Sequence, residues 1–85
     1  MTEWVHTAFM HGSWETRKEQ LGEYLLYCCR RPPGHVRISG FPYGHVYVMH
    51  GENTNDKIVE HFRIEDDGPL EIECIAHEMR EKYRP

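Results

Sequence analysis

His35-Val36-Arg37-Ile38-Ser39-Gly40-Phe41-Pro42-Tyr43-Gly44-His45-Val46-Tyr47-Val48-Met49-His50, with its continuation to Glu65, decides the fold class. Val36 and Ile38 alternate with polar neighbours, as a half-buried strand requires. Gly40 and Gly44 bracket Pro42, and that grouping makes a turn. His45–His50 is rich in β-branched and aromatic residues, which suit a pleated surface. Gly51–Asp56 is a polar loop, and Lys57–Glu65 alternates again. Ile58, Phe62 and Ile64 are expected on one face with Glu60 as the exception; Val59, His61, Arg63 and Glu65 are expected on the other. Strands this close in sequence pair antiparallel, because a parallel pair needs a crossover of about a dozen residues or more. A lone meander cannot bury its apolar face, so further elements must cover it.

The flanking segments are expected to supply that cover. Glu3–His11 reads as a strand. Ser13 then suits a helix N-cap, since its hydroxyl accepts a free backbone N–H of the first turn. Trp14, Leu21, Leu25 and Cys28 fall on one helical stripe with Tyr24 beside it. Gly22 weakens such a helix by about 1 kcal/mol relative to alanine, Arg30 and Arg31 suit its C-terminus, and Pro32-Pro33-Gly34 stops it. After the meander, two readings compete for Leu70–Cys74. One is a fourth strand. The other is the start of a helix with Pro69 at its first position, Glu71 and Glu73 near its N-terminus, and Ile72, Ile75, Ala76, Met79 and Tyr83 as its apolar stripe. The spacing out to Tyr83 favours the helix. The expectation is one small α+β domain over residues 1–85: an antiparallel sheet of three to four strands, two helices on one face, order β-α-β-β-β-α.

Composition narrows the function classes. Leu, Ile, Val and Phe number 17 of 85 residues, at the edge of what a folded domain carries. The stability margin of so small a domain is thin, so self-association as a homodimer or a stabilising partner is expected. Three cysteines, two of them adjacent, do not make a disulfide framework. No basic segment followed by an apolar run opens the chain, and no apolar run approaches the roughly 20 residues that span a bilayer. A cytoplasmic protein without membrane contact is expected. The net charge of −4 is uneven: residues 1–40 carry +1 and residues 41–85 carry −5. An acidic half disfavours non-specific nucleic-acid binding and favours a basic partner.

No catalytic or metal constellation is legible. Cys28 and Cys29 are adjacent, whereas zinc-binding cysteines stand two or more residues apart. His45 and His50, like His6 and His11, differ by an odd number and would point to opposite faces of a strand. His77 and Glu81 share a helix face but make only two ligands, and His77-Glu78-Met79-Arg80-Glu81 lacks the second histidine of a zinc-protease helix. Cys74 and His77 lie three apart, but Glu71, Glu73 and Glu78 would raise the thiol pKa. Asp66 and Asp67 fall in a turn. The expectation is therefore no metal, no cofactor, no catalytic residue and no enzyme.

What remains is surface. The Gly40–Gly44 turn presents Phe41 and Tyr43, and the acidic tips present Glu52, Asp56, Glu65, Asp66 and Asp67. Aromatics anchor interfaces and acidic tips steer toward a basic surface. The expected function is a non-enzymatic regulator, adaptor or inhibitor that docks on a larger protein. A virus- or phage-encoded inhibitor of a host nucleic-acid-binding or defence complex fits this profile, and its setting would be the host cytoplasm. The alternative is a single-stranded nucleic-acid module using Arg30, Arg31, Arg37, Phe41, Tyr43 and Tyr47. Gly40–Tyr47 shares little beyond aromatics with the strand motif of RNA-recognition sheets: Pro42 cannot donate within a central strand, and no second aromatic motif accompanies it.

Overall fold

The computed structural model describes residues 4–9, 12–32, 42–51, 57–65 and 69–84. Five strands, β1 (Val5–Phe9), β2 (Gly12–Leu21), β3 (Tyr24–Arg30), β4 (Gly44–His50) and β5 (Lys57–Ile64), precede one helix, α1 (Pro69–Lys82). The strands form one antiparallel sheet in chain order. The α+β class and the antiparallel sheet agree with expectation. The counts do not: the described residues hold five strands and one helix, in place of three to four strands and two helices. The expected strand at His35–Ser39 lies outside the described residues.

The segment expected as a helix over residues 13–31 is the β2–β3 hairpin. Leu21 pairs with Tyr24 across the two residues Gly22 and Glu23. Gly22 has φ of 60°, the conformation that the first position of a two-residue type II′ turn needs and that glycine adopts freely. The glycine that weakens a helix here makes a turn. Tyr24–Cys29 is apolar at every position. Leu26 and Cys28 are buried on one side, and Leu25 and Cys29 are buried on the other. An unbroken apolar run of this kind marks a strand buried on both faces. Arg31 and Tyr43 tie the β3 and β4 ends together, the Arg31 N–H donating to the Tyr43 carbonyl at 2.9 Å.

The helix over Leu70–Cys74 is present, and it closes one face of the sheet. Ile72, Ala76 and Met79 are buried against Leu21, Leu26, Cys28, Val46, Val48 and Ile64, with Ile75 and Tyr83 at the margin. Burial of a side chain such as Ile72 contributes roughly 1.5–3 kcal/mol. Glu71 in the first turn and Arg80 and Lys82 in the last complement the helix dipole. Ion pairs rim the contact: Arg17–Glu73 at 3.0 Å and Arg80–Glu19 at 2.9 Å. Trp4 extends the rim, with the guanidinium of Arg17 4.6 Å and that of Arg30 3.9 Å from its ring centre.

A bulge corrects the expected faces of β5. Val48 pairs with Glu60 and Met49 with Ile58, leaving Val59 as the extra residue. Glu60 therefore shares the helix side with Phe62 and Ile64, while Ile58 moves to the opposite side. On the helix side Glu60 meets the end of α1. The Tyr83 hydroxyl donates to its carboxylate, and Lys82 Nζ lies 2.9 Å away.

Two consequences are measurable. Gly44 sits where a Cβ would overlap the Cys29 carbonyl oxygen and meet Ile72 Cδ1 at 3.0 Å. Gly44→Ala is expected to lower stability by about 1–3 kcal/mol through overpacking; a urea midpoint equal to wild type would contradict this contact. The second consequence concerns acid. The Tyr83 hydrogen bond, followed by Lys82, holds the Glu60 carboxyl below its ordinary value of 4.5, and the Tyr83 hydroxyl is pushed up to about 12. Because the folded value is depressed, this stabilisation is complete above 4.5 and is lost as pH falls through the folded value. Tyr83→Phe is expected to have a lower urea midpoint than wild type at pH 7, with the gap shrinking below pH 4.5. A gap that stays constant between pH 7 and pH 3 would show that the hydroxyl–carboxylate contact does not contribute.

Candidate functional site

The one helix among the described residues lies on one side of the sheet, and the alternation of the strands decides what the other side presents. Trp14 and Thr16 on β2, Leu25, Tyr27 and Cys29 on β3, and His45, Tyr47 and Met49 on β4 share that second face. The β5 bulge adds Ile58, and His61 follows from its pairing with Tyr47. Leu25, Cys29 and Met49 are buried. Tyr27, His45 and Tyr47 are half-buried, and His61 is exposed. Ile58 is 52% exposed, unusually open for its size.

The rings of this face form a connected row. Tyr47 and His61 stack 4.4 Å apart with planes only 3° from parallel. His45 stacks 5.6 Å from Tyr47 and meets His61 edge to edge, with ring centres 5.0 Å apart. Tyr27 lies 6.0 Å from Tyr47, and Trp14 lies 6.1 Å from His45. Tyr27, Tyr47, Met49 and Ile58 line a shallow hollow of about 270 Å³. Its lining is largely apolar, as a pocket for an anchoring side chain is.

Burial disfavours charge on His45, Tyr27 and Tyr47. Burial is the main cause that lowers the His45 pKa, followed by the nearby His61 and Arg63. Burial raises the phenols of Tyr27 and Tyr47. His45 Nδ1 and His61 Nε2 stand 2.9 Å apart and share a hydrogen bond, one ring donating and the other accepting. The Cys29 thiol is pushed up to about 12, chiefly by burial, and burial also raises Cys28. Both are held as neutral thiols, unsuited to nucleophilic attack. Adjacent positions on β3 send them to opposite faces, and all three cysteines are free.

The expected site residues scatter. Phe41, Glu52, Asp56, Asp66, Asp67 and Arg37 lie outside the described residues. Tyr43 packs against the helix-side core, and its N–H donates to the Ile64 carbonyl at 2.8 Å. Glu65 is exposed at the end of β5 and pairs with Arg63 at 2.5 Å. Arg30 turns to the helix side, where it binds Glu15 at 2.8 Å. Arg31 is buried on the opposite side over Trp14, 3.8 Å from its ring centre. Of the described arginine and aromatic set, Tyr47 and Arg31 share the face opposite α1 and Arg30 does not. Cys74, His77 and Glu81 are exposed on α1. Tyr27, Met49, Ile58 and His61 were not legible as site residues, because only the register and the bulge gather them.

A second hollow, of about 510 Å³, lies between the β2–β3 turn and the end of α1, lined in part by Glu23, Tyr24, Lys82 and Tyr83. Its rings and charges are engaged with one another: Tyr24 and Tyr83 lie 4.6 Å apart, and Lys82 pairs with Glu60. No group of three or more metal-ligating side chains stands together among the described residues. No described helix is long and apolar enough to cross a membrane. Comparison with known proteins finds no matching family model, no similar curated protein and no similar solved structure.

Proposed function

We propose that this chain is a non-enzymatic, protein-binding regulator or inhibitor that docks through the sheet face opposite α1. The observation that carries this reading is the apolar hollow between Tyr27, Tyr47, Met49 and Ile58, opening beside an exposed Ile58 and a row of half-buried rings. Aromatic residues and methionine are enriched at interface centres, and charged residues are depleted there. On this face Lys18 and Gln20 on β2 and the Arg63–Glu65 pair on β5 lie around the rings, giving an apolar centre with a polar rim. The fitting partner is a larger protein offering an apolar anchor for the hollow, with a basic group near Glu65. Inhibition of a host nucleic-acid-binding or defence complex is one form of that activity.

Single-stranded nucleic acid is the second reading, favoured by Tyr47 and Arg31 sharing this face. Ring occupancy weighs against it. Base stacking needs open aromatic faces, and Tyr47 already stacks on His61 at 3°.

The test is capture by the tagged chain from its native cell, with and without nuclease, repeated with Ile58→Glu and Tyr47→Ala. Ile58 is exposed, so its substitution spares the core. A protein captured in both nuclease arms is expected to be lost by at least about tenfold with each variant, the effect of removing an interface anchor. Sedimentation of the purified chain separates a second copy from a foreign partner. A partner retained by both variants would remove this face from the reading, and capture abolished by nuclease would move the function to nucleic acid.

A further inference from the structure

We propose that the partner segment seated in the Tyr27–Tyr47–Met49–Ile58 hollow carries an aromatic side chain with a carboxylate beside it, and that Lys18 receives that carboxylate. This partner chemistry rests on the docking reading above. Charge is sorted between the two sides of the sheet. Glu15, Glu19, Glu60 and Glu73 lie on the helix side, bound to Arg30, Arg80, Lys82 and Arg17 respectively. On the side opposite α1 the described charges of the strands are Lys18, Arg31, Arg63 and Glu65. Three are cationic and one is acidic, so this side is net positive in a chain whose total is −4.

Lys18 is the cation of this side that an incoming group can meet. Arg31 is buried over Trp14, and Arg63 is paired with Glu65 at 2.5 Å. Lys18 is exposed and has no ion-pair partner among the described residues. It pairs with Tyr27 across β2 and β3, and Tyr27 is a wall of the hollow. Directly opposed side chains of an antiparallel pair stand about 4.5–5.5 Å apart at Cβ, and the long flexible lysine stem carries its ammonium beyond that. An anchor held in the hollow therefore places a carboxylate on a short chain within reach of Lys18. Met49 supplies a thioether and Tyr27 and Tyr47 supply rings, a lining that favours an aromatic anchor. The basic group that meets Glu65 lies at another corner. His61 shares the row of Lys18, Tyr27 and Tyr47, so Glu65 stands three strands across and four residues along from Lys18, roughly 20 Å away.

A nucleic acid also joins aromatic groups to negative charge, but this face fits it less well. Phosphates recur along a strand and call for a row of cations. Among the described residues of this side, Lys18 is the one exposed cation without an acidic partner, and Glu65 opposes a polyanion at the end of β5. A protein segment needs only one carboxylate beside its anchor.

The experiment compares two probes matched in ring and chain length, phenylbutyrate and phenylbutylamine. Each is titrated into the isotopically labelled chain at low ionic strength, and binding is followed by NMR shifts at Tyr27, Tyr47, Met49 and Ile58. Phenylbutyrate is expected to bind about two- to fivefold more tightly, the effect of an exposed ion pair, with the gap closing in high salt. Lys18→Gln is expected to remove that preference. Because the whole chain is acidic, Lys18→Glu is expected to reverse it. Lys18 is exposed, so both substitutions spare the core, and circular dichroism checks each fold. Wild type binding phenylbutyrate no more tightly than phenylbutylamine, or a carboxylate preference that survives Lys18→Glu, would overturn the role of Lys18 and leave the hollow as a docking site. Absence of shifts at all four residues with both probes would overturn the hollow itself, and the docking reading with it. Displacement of phenylbutyrate by an equal concentration of oligothymidylate would overturn the acidic segment in favour of single-stranded nucleic acid.

Discussion

The register of β3 against its two neighbours is the constraint on which the rest of the structure depends. The two-residue turn at Gly22 and Glu23 sets Leu21 opposite Tyr24, and each later pair follows at a period of two. Leu26 and Cys28 then face α1, while Leu25, Tyr27 and Cys29 face away. A one-residue slip would exchange these sets. It would place Tyr27 beneath the helix and disperse the ring row, so the turn conformation governs both the core and the candidate site. Gly44 reinforces the same arrangement from β4, since only a residue without a side chain leaves room for both the β3 backbone and Ile72.

The sequence carried the local pairings better than the long-range ones. Val46, Val48 and Ile64 were legible as strand residues, and Ile72, Ala76 and Met79 as a helix face, because each set repeats at a single clear period. Residues 13–31 were not, for a physical reason. Trp14, Leu21, Leu25 and Cys28 satisfy a helical spacing by coincidence, and Ser13 is a good N-cap wherever a helix begins. The contrary signals were Gly22, useful only if the chain reverses there, and the run Tyr24–Cys29, apolar on both faces. β5 shows a subtler limit. Its alternation is plain in the sequence, but the bulge at Val59 inverts Ile58 relative to Ile64, and the backbone alone records that. The His45–His61 pair is the clearest case. Spacing along the chain correctly separates His45 from His50, and nothing in that spacing points across to β5.

The charge distribution looks different once pairs are assigned. A net charge of −4 concentrated in the second half suggests an acidic field able to steer a basic partner. Yet Glu60 and Glu73 are tied to Lys82 and Arg17, and Glu65 and Glu81 sit against Arg63 and Arg84. Paired carboxylates contribute little field at a distance, because the potentials of opposite charges largely cancel beyond their separation and salt screens the remainder. Among the described residues, long-range attraction is therefore weaker than the totals imply. Affinity for a partner must come mainly from contact.

Contact then depends on the face opposite α1, which no other described helix or strand covers. An antiparallel sheet can leave one side to water, and such a side normally reads as polar at alternate positions. Here β4 places His45, Tyr47 and Met49 at those positions, and β3 places Leu25, Tyr27 and Cys29. Solvation does not require residues of this kind, and a domain of this size gains stability by burying them. Their buried floor and half-buried rings have the layering of an interface centre, and the exposed Ile58 stands at its margin, where an incoming side chain would first make contact. The helix side needs its apolar residues for folding. Among the described residues no helix covers the apolar side chains of the opposite side, and that arrangement is what supports the proposal that this side binds a partner.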